Sequence, residues 1–313
     1  MESLRLVNIG NSCYINAALQ LLFSIQEFKE FIRKRHFYIP YMRQDICNEL
    51  FNLFSNSQHL NSACTLRALV ADFTNNVHFN DRSMQDSEEF LSTLLQVIRQ
   101  EVTVSNVAGQ ALINDFCGIE NNVRRFLSRG GTCPNCHSLP RTEEERFNVI
   151  NIQLPNIQTS QTLHLSSLLD NHFSSSSNTV RMKCSQCCKC TRNCPQSGLC
   201  QLRDSVSQTV LVHSPDTLLI KINRFGIHGR KNQTHVWPED TIMLGGECFS
   251  LKSVVDHLGS TINSGHYICH VKSGQLWTRC NEGPLCSILN YLSQFLFNTK
   301  FHLNIWTVIA TSN

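Results

Sequence analysis

LVNIGNSCYINAALQLLFSI, residues 6–25, runs from a short apolar stretch through a polar turn into one cysteine and a long apolar-striped segment. Ile15, Ala18, Leu22, Ile25 and Ile32 recur at helical spacing behind the Asn11-Ser12 capping signal, so a helix is expected to open at Cys13. The unpaired N–H groups and the positive dipole end of a helix start favour negative charge, on a sulfur or on an oxyanion formed beside it. Asn8, five residues before the cysteine, can lend a side-chain amide to the same hole. Taken alone, though, Cys13 reads more simply as a small packed hydrophobe and Asn8 as a turn former.

Further along, Met42, Ile46, Leu50 and Phe54 repeat the helical period, as do Leu66, Leu69, Val70, Phe73 and Val77. A fourth helix is expected near Ser83, with Asp86 three residues on as in a capping box and Phe90, Leu91, Leu94, Leu95 and Ile98 buried. The character then changes. FNVINIQLP (147–155), TVLVHSPDTLLIKINRF (209–225), HYICHVK (266–272) and FHLNIWTVI (301–309) are β-rich and partly alternating. Between the helical part and the later strands lies a cysteine-rich region, residues 130–200, whose serine run at 174–177 reads as a loop tip. The expected class is α+β: a helical half, a sheet half and a metal-stapled excursion.

Bulk composition narrows the function. A chain of 313 residues holds one or two domains and can bury a core without staples. With 27 basic against 24 acidic residues the net charge is +3, which is no footprint for nucleic acid or a membrane surface. The run Arg33, Lys34, Arg35, His36 reads as the solvated end of a helix. The opening residues lack the basic-then-apolar order of a secretory signal, and no apolar run approaches a membrane span. An intracellular protein is expected, in cytoplasm and/or nucleus, where thiols stay reduced. The 16 cysteines then point to metal or catalysis rather than disulfides.

Two C-x-x-C pairs carry the metal signal: Cys133-Pro-Asn-Cys136 and Cys184-Ser-Gln-Cys187. Each can turn two sulfurs onto one ion, and two such turns close a tetrahedral S4 zinc site, structural because no position is left for water. The plainer reading is four buried thiols. The second pair is also ambiguous, because Cys187, Cys188, Cys190, Cys194 and Cys200 crowd together and Cys187 with Cys190 forms a rival pair. Among 13 histidines, His266 stands out: Gly265 precedes it and a β-pattern follows it. Asn281, in WTRCNEG, sits where a neighbouring strand is expected to return antiparallel, and an Asn carbonyl there can hold the imidazole tautomer, as in Cys-His-Asn catalysis. Glu282 is the rival orienter, and ordinary sheet residues are the competing explanation for all three.

These residues also resemble a known family. NIGNSCYINAALQ resembles the cysteine box of the ubiquitin-specific proteases, and FSLKSVVDHLGSTINSGHYICHVKSGQLWTRCNEG their histidine box. MQDSEEFL resembles the family's Gln-Gln-Asp helix, with Met84 in place of the first Gln. FCGIENNVRRFLSRGGTCPNC and MKCSQC resemble the two halves of its zinc finger, and DTLLIKINRF the strand that follows. The resemblance spans residues 4–308, with the motifs in the family's order, and Glu282 stands where the family more often has Asp.

The resemblance implies a papain-like cysteine protease fold as one catalytic domain over 1–313. It would comprise a helical thumb (about 1–125), zinc-stapled β fingers with some palm strand (about 126–207) and a β palm (about 208–313). It implies Cys13 as nucleophile, His266 as base and then acid, Asn281 as orienter and Asn8 as oxyanion donor. Cys133, Cys136, Cys184 and Cys187 would hold one structural zinc ion. Asp86 and Glu89 would lie by the channel for the arginine-bearing ubiquitin tail, and Tyr267 would line that channel near the scissile bond. The implied activity is deubiquitination, with ubiquitin and ubiquitinated proteins as partners, no nucleic acid or membrane, and a monomeric chain. Because the chain starts almost at its cysteine box, a bare catalytic domain is expected. Two alternatives keep the fold: a ubiquitin-binding scaffold, and a hydrolase for a ubiquitin-like modifier.

Overall fold

Cys13–Phe23 forms the first helix, α1, and every residue from Cys13 to Leu22 is buried. A helix that is apolar on one stripe alone would keep a wet face, but this one is packed on all sides and lies at the centre of the helical half. The computed structural model describes residues 4, 6–8, 10–38, 46–55, 62–75, 79, 83–104, 122–126, 144–147, 149–155, 161–173, 178–182, 203–207, 209–211, 216–225, 231–261, 264–281, 287–289 and 306–311.

The apolar stripe from Ile15 to Ile32 belongs to two helices, not one. At Ser24 the N–H reaches Gln20 and Leu21 carbonyls at 3.1 Å each. The Ser24 hydroxyl donates to Leu21 O at 2.6 Å and lies 3.0 Å from the Ser253 hydroxyl. Such local bonding competes with helix continuation, and α2 (Gln26–Tyr38) begins after a two-residue break. Helices α3 (Ile46–Ser55) and α4 (Ser62–Thr74) follow the expected periods; Met42 and Val77 lie outside the described residues. The fourth periodic segment begins later than the Ser83 expectation. Helix α5 spans Ser87–Val104, and Asp86 is its cap: Asp86 Oδ1 accepts from the Glu88 N–H at 2.7 Å.

The basic run on α2 is a second correction. Arg33 and Lys34 are exposed, but Arg35 is only 1% exposed. Arg35 follows Phe31 by four positions and Ile32 by three, so it shares their buried face. His36 lies flat on Phe51 of α3, ring centroids 3.6 Å apart and 7° from parallel.

The β half is built on an eight-stranded sheet. Its strands are β3 (Ile150–Gln153), β8 (Thr217–Asn223), β10 (Thr241–Leu244), β11 (Glu247–Thr261), β12 (Ser264–Ser273), β13 (Leu276–Cys280), β14 (Ser287–Leu289) and β15 (Trp306–Thr311). The order is β14-β13-β12-β11-β15-β8-β3, with β10 on the start of β11. All pairs are antiparallel except β3 with β8. Adjacent residues of one strand enter different cores: Leu219 and Val255 join the helical thumb's core, while Leu218, Ile220 and Val254 join a second one. A sheet buried on both faces explains why TLLIKI is nearly continuous rather than alternating.

The second core is closed by a helix that the sequence reading did not anticipate, α6 (Leu165–Phe173), through Leu165, Leu168 and Leu169. Residues 149–155 and 161–173 therefore contribute to this second core from within the stretch expected to hold fingers with some palm strand. The remaining small sheets hold β1 (Asn122–Phe126), β2 (Glu144–Phe147) and β7 (Thr209–Leu211) in one, and β5 (Asn178–Met182) with β6 (Arg203–Ser207) in another. A two-stranded parallel pair, β4 (Leu163–His164) with β9 (Val236–Trp237), completes the list. Mixed helix and sheet is thus the architecture expected. Among the described residues no helix is long and apolar enough to cross a membrane.

The buried placement of Arg35 is testable. Arg35→Ala should lower unfolding free energy by about 2 kcal/mol or more through lost stem packing. Arg33→Ala should stay within about 0.5 kcal/mol, both read by urea denaturation.

Candidate active site

The approach to Cys13 is built by polar side chains of α1 itself. Gln20 brackets the backbone of Leu4, its Oε1 accepting from Leu4 N at 3.2 Å and its Nε2 donating to Leu4 O at 2.5 Å. Asn16 Nδ2 donates to Val7 O at 3.4 Å. The chain then turns through Gly10 (φ 71°) and Asn11 (φ 50°), both left-handed, a conformation open to glycine and tolerated by asparagine. No neighbour comes within 4 Å of where a Gly10 Cβ would sit, so the glycine serves the backbone and not a tight fit. Asn8 Oδ1 accepts from both the Ser12 N–H at 3.0 Å and the Ser12 hydroxyl at 3.1 Å. Those two bonds fix the roll of the amide and hence its donor nitrogen. Cys13, the first residue of α1, is 2% exposed with a free thiol.

His266 and Asn281 meet across neighbouring strands. Strands β12 and β13 pair antiparallel from Ser273↔Leu276 to Cys269↔Cys280, and Asn281 follows directly. His266 Nε2 lies 2.8 Å from Asn281 Oδ1. An amide oxygen can only accept, so Nε2 carries the proton and donates, leaving Nδ1 as the basic nitrogen of the neutral ring. Helix α1, which carries Cys13, packs against β12, which carries His266.

Tyr267 is a buried floor residue, 7% exposed. Burial raises its phenol above the ordinary range, the Asp86 charge adds to this, and the Ser87 backbone hydrogen bond works the other way; Cys13 and Glu88 also raise it. One ring thus touches the electrostatics of the cysteine, the α5 cap and the sheet. Beside it lies His257, its ring 4.6 Å from that of Tyr267 and tilted by 41°. Burial, then the Lys231 charge, pushes His257 down to about 4, with Asp86 raising it and His266 lowering it further. His270 is pushed down to about 3 by burial and by Arg279. Both rings are neutral near pH 7.

Of the two carboxylates expected along the channel, Asp86 is engaged: it caps α5 and its Oδ2 lies 3.5 Å from Lys221 Nζ, which also donates to Glu88. Glu89 is exposed in the first turn of α5. Cys133, Cys136, Cys184, Cys187, the neighbouring Cys188, Cys190, Cys194 and Cys200, and Glu282 lie outside the described residues. Among the described residues no three His, Cys, Asp or Glu side chains gather as metal ligands. Met84 packs partly buried against the thumb core. Sequence reasoning missed the Lys221 bridge, although a lysine inside TLLIKIN was a signal. It also missed Ser87, whose hydroxyl donates to Tyr14 O at 2.8 Å and ties α5 to α1.

Comparison with known proteins gives consistent matches. The family model described as ubiquitin carboxyl-terminal hydrolase matches residues 4–290. Ubiquitin carboxyl-terminal hydrolase 17-like protein A of Mus musculus is 25% identical over 314 residues, 93% of this chain and 56% of its own. Ubiquitin carboxyl-terminal hydrolase 44 of Ailuropoda melanoleuca is 25% identical over 244 residues, 66% of this chain and 34% of its own. The chain thus spans about a third to just over half the length of these curated relatives. The solved structure of the SAGA Ubp8/Sgf11/Sus1/Sgf73 DUB module bound to ubiquitin aldehyde matches with TM-score 0.73 at 16% identity, covering 100% of this chain and 70% of that one. At that identity the likeness is one of fold.

The buried imidazoles fix a pH dependence. Below their ordinary value of 6.5 and down to about 4 and 3, the unfolded chain binds protons that the folded one refuses, so stability rises with pH across that window. The thermal midpoint should fall as pH drops from 7 to 4.5, and His270→Gln should fall less steeply. Parallel slopes for parent and variant would contradict a neutral buried His270.

Proposed function

The chain belongs to the ubiquitin carboxyl-terminal hydrolase family, and on that premise we propose that it is a cysteine-type deubiquitinase, cleaving the bond after the C-terminal glycine of ubiquitin. The observation that carries the reading is the 2.8 Å bond from His266 to Asn281, with His266 on β12, the strand packed against the helix that starts at Cys13. In the proposed reaction Nδ1 of His266 takes the Cys13 proton, and the sulfur attacks the glycine carbonyl. The Asn8 amide and the N–H groups at the start of α1 hold the oxyanion. The resulting His266 imidazolium then protonates the leaving amine, and the ring next activates the water that cleaves the thioester. Asn281 keeps the ring in the tautomer that puts the base on the sulfur side.

The tail of ubiquitin carries arginines, and Glu89, exposed on α5, with Asp86 behind it, supplies the matching charge. Tyr267 contributes from below as a buried wall that keeps its phenol proton.

One structural zinc ion is part of the proposal. Cys133 and Cys136 fall in the connection between β1 and β2, and Cys184 and Cys187 in that between β5 and β6, both antiparallel pairs. Four thiolates brought from two hairpins suit zinc, which supplies a cross-link and no step of the hydrolysis.

A ubiquitin probe with an electrophilic C-terminus tests the hydrolase reading. The parent should form one covalent adduct, lost in Cys13→Ala. His266→Ala should lower kcat/KM for a ubiquitin amide substrate about 10²- to 10⁴-fold, and Asn8→Ala roughly 100-fold. A folded parent that forms no adduct would point to a binding scaffold, and a preference for ubiquitin-like probes to another modifier. Elemental analysis should find one zinc per chain, absent from a Cys133→Ser/Cys136→Ser variant.

A further inference from the structure

The residues that would touch substrate do not explain how β11, the strand opposite His266, is held. Across the β11–β12 pair Leu258 faces His266 and His257 faces Tyr267, after which the register is irregular up to Thr261↔Ser264. On its other edge, among the described residues, β11 pairs with β15 from Phe249↔Thr311 to Val255↔Trp306. The carbonyls of His257 and Gly259, two residues apart and so on one edge, follow that described stretch. A lysine reaches both. Lys231, 6% exposed, donates from Nζ to His257 O at 2.7 Å and to Gly259 O at 3.0 Å.

The lysine is itself anchored. It bridges to Phe225 in antiparallel fashion. Arg224 Nη1 closes the same loop by donating to Asn232 O at 3.1 Å and Thr234 O at 2.6 Å. Burial pulls Lys231 down to about 8, the negative charge of Asp256 opposes this, and Arg224 adds to the lowering. Asp256 is 1% exposed and precedes His257, so it lies where both cations need it.

His257 fills the other side of the same strand end. Its ring lies between those of Phe225, at 6.1 Å, and Tyr267. Any Cβ at position 265 would collide with His257 Nε2, and one at position 259 would meet Ser264 O at 2.5 Å and His257 Cε1 at 3.0 Å. Gly265 is therefore pressed directly on the imidazole, and His266 is the next residue. A neutral ring does this without repelling the imidazolium that forms at His266 during turnover.

We propose that Lys231 and His257 are positioning residues for His266: the ammonium fixes the strand opposite it, and the imidazole seats the glycine before it. This rests on the hydrolase reading, which gives His266 its role. The test compares the parent with Lys231→Met, Lys231→Arg and His257→Gln. Lys231→Met should reach the parent's final extent of labelling by the electrophilic ubiquitin probe, keep KM within about twofold, and lose kcat roughly 10- to 100-fold. The limb of its kcat/KM profile that follows His266 should also shift along the pH axis. Lys231→Arg, which retains charged donors, should recover most of the kcat, and His257→Gln should lose kcat in the same way as Lys231→Met. Activity falling only in step with a lower labelling extent would overturn the proposal and leave a purely structural role, as would unchanged kcat. An unlabelled, inactive parent would instead refute the hydrolase reading. The tether is then judged by amide exchange, which should quicken at residues 257–266 in Lys231→Met; unaltered exchange there would reject it.

Discussion

A helix without a wet face draws packed groups onto its polar side chains, and α1 is such a helix. Asn16 and Gln20 are buried, and they reach the backbone of Leu4 and Val7 and hold it along the helix. That places Asn8 at the turn, where its carbonyl meets Ser12 and leaves Cys13 at the opening of the helix. The other sides of α1 are covered by α5, through the Ser87–Tyr14 bond, and by β11 and β12. The cysteine's surroundings are therefore consequences of burying one apolar segment completely, and the histidine arrives on a strand that the same burial demands.

The electrostatics follow the same logic. Tyr267, His257 and His270 are each pushed by burial towards their neutral forms, while Asp86, with its cap and its lysine, stays at the edge of the group. Beside His266 the interior thus offers rings that do not titrate near neutrality. A base that must gain and lose a proton is helped when its immediate neighbours do neither.

Local pattern made much of this legible. The apolar period placed α1, α3, α4 and most of α5, the β-rich runs fell on strands of the large sheet, and Asn281, expected at the end of a strand returning antiparallel, directly follows β13. What escaped was set by tertiary contact. Nothing local distinguishes Arg35 from Arg33; only the face shared with Phe31 and Ile32 does. The Ser24 hydroxyl at the helix break also meets one 229 positions away in the chain, that of Ser253. Helix α6 was hidden in a region read for its cysteines. Lys231 carries no motif, and His257, though inside the quoted histidine box, gives no local sign of its role, because their partners are carbonyls and a glycine, groups that every sequence contains.

The order of the sheet has a consequence for how the molecule comes into being. Strand β15 lies between β11 and β8, so among the described residues the strand ladder passes from the half bearing His266 to the half bearing β3 through residues 306–311. A nascent chain emerging from the ribosome would have its cysteine helix, its histidine hairpin and its lysine tether long before it had that keystone. Until those six residues arrive, β8 and β11 lack the strand that joins their ladders.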